Sequence, residues 1–483
     1  MHPKYRSPWQ RLPRLAALTV AFSSLVVAAE VGSAAQPQLA AIDEALDAPA
    51  WDGTVDAASC DDGANTLDGC ATAVDCGNEC SCGAAVAAPS FGGCCWERTK
   101  LTGDWGGSRT ALAASGLTLD ADSTNYDFGN TSGGLDRRFD YAGHGDYVLN
   151  ADMGKLGLME GQFWKICAEH RWGQTINGDT GALLPATILP DLPVTDSEDV
   201  YLTNVLLTQA FSENFAVFAG KLDTLDGDTT AFASGRGKTQ FSNMAFVANP
   251  IALRQIPYST LGAGFVVLHE LQPIFTFTVL NATDTARTSG FDELFNEGAA
   301  VTSSLRLPTN FFDRPGHQLI GGTWTSRDVV SLGQDPRIIL PDVPIARQSD
   351  SWSIFWNCDQ YLVVDPDNSA RGWGYFARAG YGDDETDPIE WFLSAGLGGS
   401  SPLAGRPADT FGVGWYHAGT SDKLGPIIET AFGPIGDGDG VELFYNVAVT
   451  PWCHVTPDVQ VLVPARETVD TALAAGVRAN IDF

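Results

Sequence analysis

Arg378, Glu442 and Arg478 each fall in the middle of a run in which every second residue is apolar. Val441, Leu443, Tyr445, Val447 and Val449 alternate with Glu442, Phe444, Asn446 and Ala448. Tyr375, Ala377, Ala379 and Tyr381 alternate with Phe376 and Arg378. At the carboxy terminus Ala475, Val477, Ala479, Ile481 and Phe483 alternate with Ala474, Gly476, Arg478, Asn480 and Asp482. A strand turns successive side chains to opposite faces, so guanidinium, carboxylate and amide groups share one face with rings. Planar donors and carboxylates replace the hydration of hydroxyl groups, and aromatic faces cover the C–H side of a sugar ring. Such a face suits weak contact with a carbohydrate moving through water, weak because a tightly held solute does not leave. In the competing reading these charges pair with one another and brace a wall. For any single residue the sequence leaves both open.

The segment 161–171 follows the same rule less cleanly. Phe163, Lys165, Cys167, Glu169 and Arg171 share one face, and Gln162, Trp164, Ile166 and His170 the other. The candidates for a polar lining are therefore Arg378, Glu442, Asn446, Arg478, Lys165, Glu169 and Phe376.

Strands must position all of these residues. After residue 116 nearly the whole chain reads as segments of roughly ten residues joined by Gly-, Asp- and Pro-rich turns. Residues 202–210 and 215–221 flank Ser212-Glu213-Asn214 as a hairpin, and 264–270 with 274–281 form another. A strand is expected at 317–326, and further pairs at 352–363 with 372–381, 391–397 with 410–417, and 441–449 with 455–463. The count is sixteen or seventeen. A soluble sandwich has similar turn spacing, but apolar-out, polar-in alternation places lipid outside and water inside. The expected fold is all-β, a transmembrane outer-membrane β-barrel of about 16 antiparallel strands with a short amino-terminal helix. That helix runs through residues 110–115, with Asp104 as its cap and Gly116 as its stop.

The amino terminus carries Lys4, Arg6, Arg11 and Arg14, then an apolar run over 15–29 and Ser33-Ala34-Ala35, the pattern of a secretory signal over 1–35. Residues 36–95 are acidic, lack Lys and Arg, and hold seven of the ten cysteines, from Cys60 to Cys95. In an exported chain this density favours disulfides over metal, and too few large apolar residues are present for a core. Residues 36–95 thus read as a periplasmic extension, 96–116 as a helical segment and 117–483 as the barrel. The formal charge of -31 disfavours nucleic acid as a partner, because phosphates demand a basic face. Asp223, Asp226 and Asp228, and Asp437 with Asp439, resemble loop calcium ligands but lack the full spacing and closing Glu. No phosphate loop, nucleophile elbow or dinucleotide fingerprint occurs in the sequence, and nothing selects a glycosidase acid–base pair. Neither a cofactor nor a metal is expected, and the chain is not expected to be an enzyme.

Leu101-Thr102-Gly103-Asp104-Trp105-Gly106-Gly107-Ser108-Arg109, with Leu112 and Gly116-Leu117 following, resembles the opening signature of the carbohydrate-selective porin family (OprB-like). Residues 406–414, Glu442 with Tyr445, Thr456-Pro457-Asp458-Val459-Gln460 and Gly476-Val477-Arg478 with the final Phe483 resemble its closing pattern. The likeness covers 96–483, weakly in the middle. It implies a barrel in the outer membrane of a diderm bacterium that passes sugars by facilitated diffusion. It also implies that the Asp104-Trp105 helix lies at or inside the barrel's amino-terminal end. Two departures stand out, the Cys-rich extension and Val461-Leu462-Val463 where the family tends to show Asn-Pro-Gly. The expected partners are carbohydrate solutes, outer-membrane lipid and, through the last strand and Phe483, the barrel assembly machinery. Whether the barrel is a single chain or a homotrimer stays open. Two other functions compete: a structural anchor that couples the membrane to the cell wall through 36–95, and a secreted lectin or glycoside hydrolase.

Overall fold

The computed structural model describes residues 91–335, 337, 343–366, 368–424, 429 and 433–483. The signal segment and the extension up to residue 90 lie outside the described residues, and with them five of the seven clustered cysteines. Cys94, Cys95, Cys167, Cys358 and Cys453 are free thiols.

The described strands are β1 (Leu117–Ser132), β2 (Phe139–Asp152), β3 (Gln162–Gly173), β4 (Tyr201–Ser212), β5 (Phe215–Asp223), β6 (Ser259–His269), β7 (Gln272–Asn281), β8 (Ala299–Phe311) and β9 (Arg314–Thr325). They continue with β10 (Val329–Val330), β11 (Arg347–Gln348), β12 (Ser351–Asp365), β13 (Asn368–Gly382), β14 (Ile389–Ser400), β15 (Thr410–Thr420), β16 (Gly438–Thr450), β17 (Cys453–Val463) and β18 (Ala472–Asp482). β10 and β11 pair with each other in an outer loop, and the other sixteen form one closed antiparallel barrel. Closure pairs β1 with β18, from Asp122 opposite Asp482 to Ser132 opposite Leu473. A closed ladder leaves no unpaired edge, the condition for a sheet to cross lipid.

The alternation read from the sequence matches the two faces. Leu443, Val477, Ile354 and Ile320 are exposed on the outer wall, whereas Arg378, Glu442 and Arg478 are fully buried within the barrel. β3 follows the rule as well: Cys167, Glu169 and Arg171 are buried, and His170 lies between Tyr147 and Trp172 with ring centres 5.7 and 4.9 Å away. Its pattern is blurred because the outer residues near a membrane interface are amphipathic rings rather than aliphatic. Two bands of rings mark the interfaces. Trp352, Tyr381, Trp391 and Trp415 lie near the long-loop end, and Phe211, Phe215 and Phe311 near the short-turn end. Short turns mark the periplasmic side of such barrels. Glu270-Leu271 and Phe312-Asp313 make two-residue turns with positive φ throughout, the mirror-image turn whose twist matches that of paired strands.

The helix α1 (Ser108–Ser115) closes on Gly116 at φ 98, as expected, but Asp104 is not its N-cap. Gly107 at φ 95 holds that position, and Asp104 Oδ1 reaches past it to accept from Thr110 N–H at 2.8 Å. A glycine cap has no side chain to offer, so the earlier carboxylate satisfies the open donor. Arg109 is buried at the periplasmic rim. It donates to the backbone oxygens of Leu119 and Phe483, both at 2.8 Å, and lies 4.7 Å from the Trp105 ring centre. Leu101 N–H bonds to Asp482 O and Phe483 N–H to Ala121 O. The Gly103–Arg109 signature therefore ties the chain's entry to the β1–β18 seam.

Val477 lies midway along β18 and Ile481 near its rim. A Val477→Lys substitution is expected to cost about 2–4 kcal/mol, and Ile481→Lys less, because the lipid penalty depends on depth. Urea titration of the folded barrel in bilayers, followed by heat-modifiable gel migration, measures both; no cost at Val477 would overturn the face assignment.

Candidate functional site

The lumen is shaped by the loop joining β5 to β6, residues 224–258, which folds inward instead of standing above the barrel. It is rich in small and apolar residues, and Phe232, Phe241, Met244, Phe246 and Ile251 are all buried. Glycines on the inner wall receive these rings. A Cβ on Gly412 would meet Phe241 at 2.7 Å, and one on Gly414 would meet Phe246 at 2.6 Å. Phe376 of β13 and Phe444 of β16 complete the cluster, with ring centres 5.3 and 4.9 Å from Phe241. The short helix Met244–Val247 is capped by the Asn243 side chain, which accepts from Ala245 N–H at 3.0 Å.

Three sequence candidates hold this loop. Arg378 Nε donates to Asp228 Oδ2 at 2.9 Å, and its other nitrogens donate to Phe246 O at 2.9 Å and Ala233 O at 2.6 Å. Glu442 accepts from the N–H groups of Ser242 and Asn243 at 2.6 and 2.9 Å. Arg478 donates to Gly237 O at 2.6 Å and to Gln240 O. Glu169, across the lumen on β3, meets the loop through Arg236 at 3.2 Å and the Tyr258 hydroxyl at 2.5 Å. Asn446 stands apart, donating to Thr456 Oγ1 at 2.7 Å and bonded to His454 at 2.8 Å. Lys165 is half-buried on the inner face of β3, four residues toward the periplasm from Glu169.

The loop of residues 174–200 supports the first. Ala186 O accepts from Gln460 at 2.9 Å and from Ser242 at 3.0 Å, and Arg171 donates to Pro190 O at 2.6 Å. At the outer end Arg254 donates to Thr386 O at 3.0 Å, next to Asp387, whose carboxyl burial pushes up to about 8.

Arg236 and Lys238 are not among the residues that alternation singles out. Arg236 pairs with Asp223 and, at 3.1 Å, with Asp226; Lys238 pairs with Asp122 at 2.6 Å and Asp146 at 2.5 Å. Unlike the fully buried anchors, the side chains of Arg236, Lys238, Asp122 and Asp226 remain 13–25% exposed. Their signal was Gly235-Arg236-Gly237-Lys238, a basic pair in a chain with twice as many acids as bases. The aspartates considered for calcium have other partners: Asp223 and Asp226 face Arg236, Asp228 faces Arg378, and Asp437 and Asp439 face His417 at 3.5 and 3.0 Å. Ligand atoms of His144, Asp146 and Glu169 lie within 4.8 Å of one another, as a metal would need. Arg236 and Lys238 already supply cations to those carboxylates.

Among known proteins, the model of the carbohydrate-selective porin, OprB family, matches residues 136–483. The high-pH structure of OprB from Pseudomonas putida is 20% identical with a TM-score of 0.68, over 80% of this chain and 99% of that one. Its low-pH structure is 16% identical with a TM-score of 0.51, over the same shares. No curated protein matches the sequence.

Removing one member of a buried ion pair strands the other charge, at about 3–5 kcal/mol. Arg378→Met should therefore loosen loop 224–258 and open it to protease added outside, while Asp228→Asn in the same chain restores part of the protection. Cleavage mapping by mass spectrometry checks this, and a single variant as resistant as the parent would show that the anchor is dispensable.

Proposed function

The chain belongs to the OprB family of carbohydrate-selective porins, and we propose that solutes cross it beside Arg236, Lys238, Asp122 and Asp226, while Arg378, Glu442 and Arg478 hold the constricting loop. It is an outer-membrane porin for carbohydrates, a channel rather than an enzyme. The observation that carries the proposed route is the difference in exposure between the two groups of charges. The wall charges are enclosed by loop backbone, whereas the loop's own cations, with Asp122 and Asp226, remain in reach of water; Asp223, Asp146 and Glu169 behind them are buried. Opposed charges across a narrow passage exchange hydrogen bonds with hydroxyl groups without holding them, which fits passive, facilitated diffusion.

The remaining partners follow the same reading. The apolar outer face of β18 ending in Phe483 is the segment we assign to the barrel assembly machinery. Trp452 Nε1 donates to Cys95 O at 2.7 Å, which holds the end of the extension at the periplasmic rim. We assign residues 36–95 a cell-wall contact alongside transport and not in its place, with disulfides among Cys60, Cys70, Cys76, Cys80 and Cys82. A homotrimer is compatible with this route but is not needed for it.

Liposome swelling with neutral hexoses tests the function directly, and swelling no faster than in protein-free liposomes would defeat it. For the route, Lys238→Gln is expected to raise the cation-to-anion permeability ratio, because it leaves Asp122 and Asp146 without their shared cation. Reversal potentials in asymmetric salt measure the shift; an unchanged ratio would move the route away from Lys238.

A further inference from the structure

Beneath the loop, on its periplasmic side, lies a recess of about 170 Å³ between the loop and the inner ends of β12 to β15. At ~30 Å³ per water it displaces about six waters, the volume class of one sugar ring. Phe232 and Tyr361 form one side, edge to face with ring centres 4.7 Å apart. Phe232 can lie there because a Cβ on Gly374 would meet its ring at 2.7 Å. Phe444 forms another side, and Gln240, Ser400 and Thr410 complete the lining.

Each of those three polar side chains keeps hydrogen-bonding capacity. Thr410 Oγ1 is buried and has no partner. Ser400 Oγ accepts from Gly372 N–H at 3.3 Å, which leaves its own proton to donate. Gln240 accepts from Ser234 N–H at 2.6 Å and gives one amide proton to Ala231 O at 3.3 Å, so a second remains. No lining residue is Asp, Glu, Lys, Arg or His, in a chain whose lumen elsewhere is crowded with charge.

We infer that this recess is a binding subsite for one neutral monosaccharide ring, its C–H face on Tyr361, which the buried Phe232 backs, and its hydroxyls on Thr410, Gln240 and Ser400. The inference rests on the proposed carbohydrate route and adds a second station beyond the charged passage. A sugar bearing a carboxylate is refused there, because desolvating the charge costs free energy and no cation in the lining compensates. The order of the two sites suits transport. The charged passage admits hydroxylated solutes broadly, and the neutral aromatic recess selects among them before release.

The test uses the full-length protein in planar bilayers, with glucose and glucuronate added on the short-turn side and open-channel block as the readout. Tyr361→Ala should raise the half-blocking glucose concentration roughly three- to tenfold. Thr410→Val, which keeps the shape, should raise it roughly two- to tenfold. Glucuronate should block the parent more weakly than glucose. Glucose block unchanged in both variants, or glucuronate blocking as strongly, would overturn the subsite while leaving the porin reading intact. A parent channel that no sugar blocks, with no swelling in liposomes, would instead overturn the route and the subsite together. Should Tyr361→Ala fail to assemble, Thr410→Val decides alone.

Discussion

Everything in the lumen depends on how the barrel neutralises the charges that its alternating strands turn inward. A strand that shows apolar groups to lipid must place its remaining residues inside, and Arg378, Glu442 and Arg478 arrive there by register alone. Isolated buried charges are not tolerated in a packed interior. Loop 224–258 supplies what they need: Asp228 for Arg378, carbonyl oxygens for both arginines, and two amide N–H groups for Glu442. The attraction acts on both partners. The wall fixes the loop, and the loop's own backbone, which could not otherwise be buried with open donors and acceptors, is satisfied by the wall.

Apolar packing gives these polar bonds their geometry. Phe241 and Phe246 settle over Gly412 and Gly414, where any side chain would hold the loop away from the wall. The same arrangement brings Phe232 over Gly374 and leaves a gap beside it. Narrowing and recess are thus two results of one docking event, and each arginine anchor sets how far the loop reaches across the barrel.

Much of the barrel was legible because period two is a local signal. β13, β16 and β18 each announce their faces within about ten residues, and the hairpin at 212–214 and the turn after residue 270 fall between recognisable runs, whereas β8 and the turn at 312–313 were not singled out. β3 was less plain, since His170 and Trp172 on its outer face look polar in a list of residues while acting as interface rings in the fold. The destination of the inward charges was not legible at all. Arg378 meets Asp228 and Arg478 meets Gly237 across 150 and 241 residues of chain, and no periodicity links them. The sequence could name the inward face but could not say whether water or a loop would fill the space before it. Asp104 shows the same limit at short range: its carboxylate does bond the first turn of α1, but from three residues before the cap.

The division between anchoring and exposed charge also bears on the basic pair Arg236 and Lys238 of one loop. A wall arginine buried under backbone is lost to solutes, whatever its position in the register. Arg236 and Lys238 sit on the loop side of the contact, between acids of β1, β2, β3 and β5, and each has more than one carboxylate within reach. Shared partners keep any one bond replaceable, so a hydroxyl group can take a donor briefly without leaving a bare charge behind. Arg378, with Asp228 as its one carboxylate and the rest of its donors enclosed by loop carbonyls, lacks that freedom. On the proposed route, placing the replaceable bonds on the loop and the permanent ones on the wall would let one segment be fixed in position and still exchange contacts with what passes it.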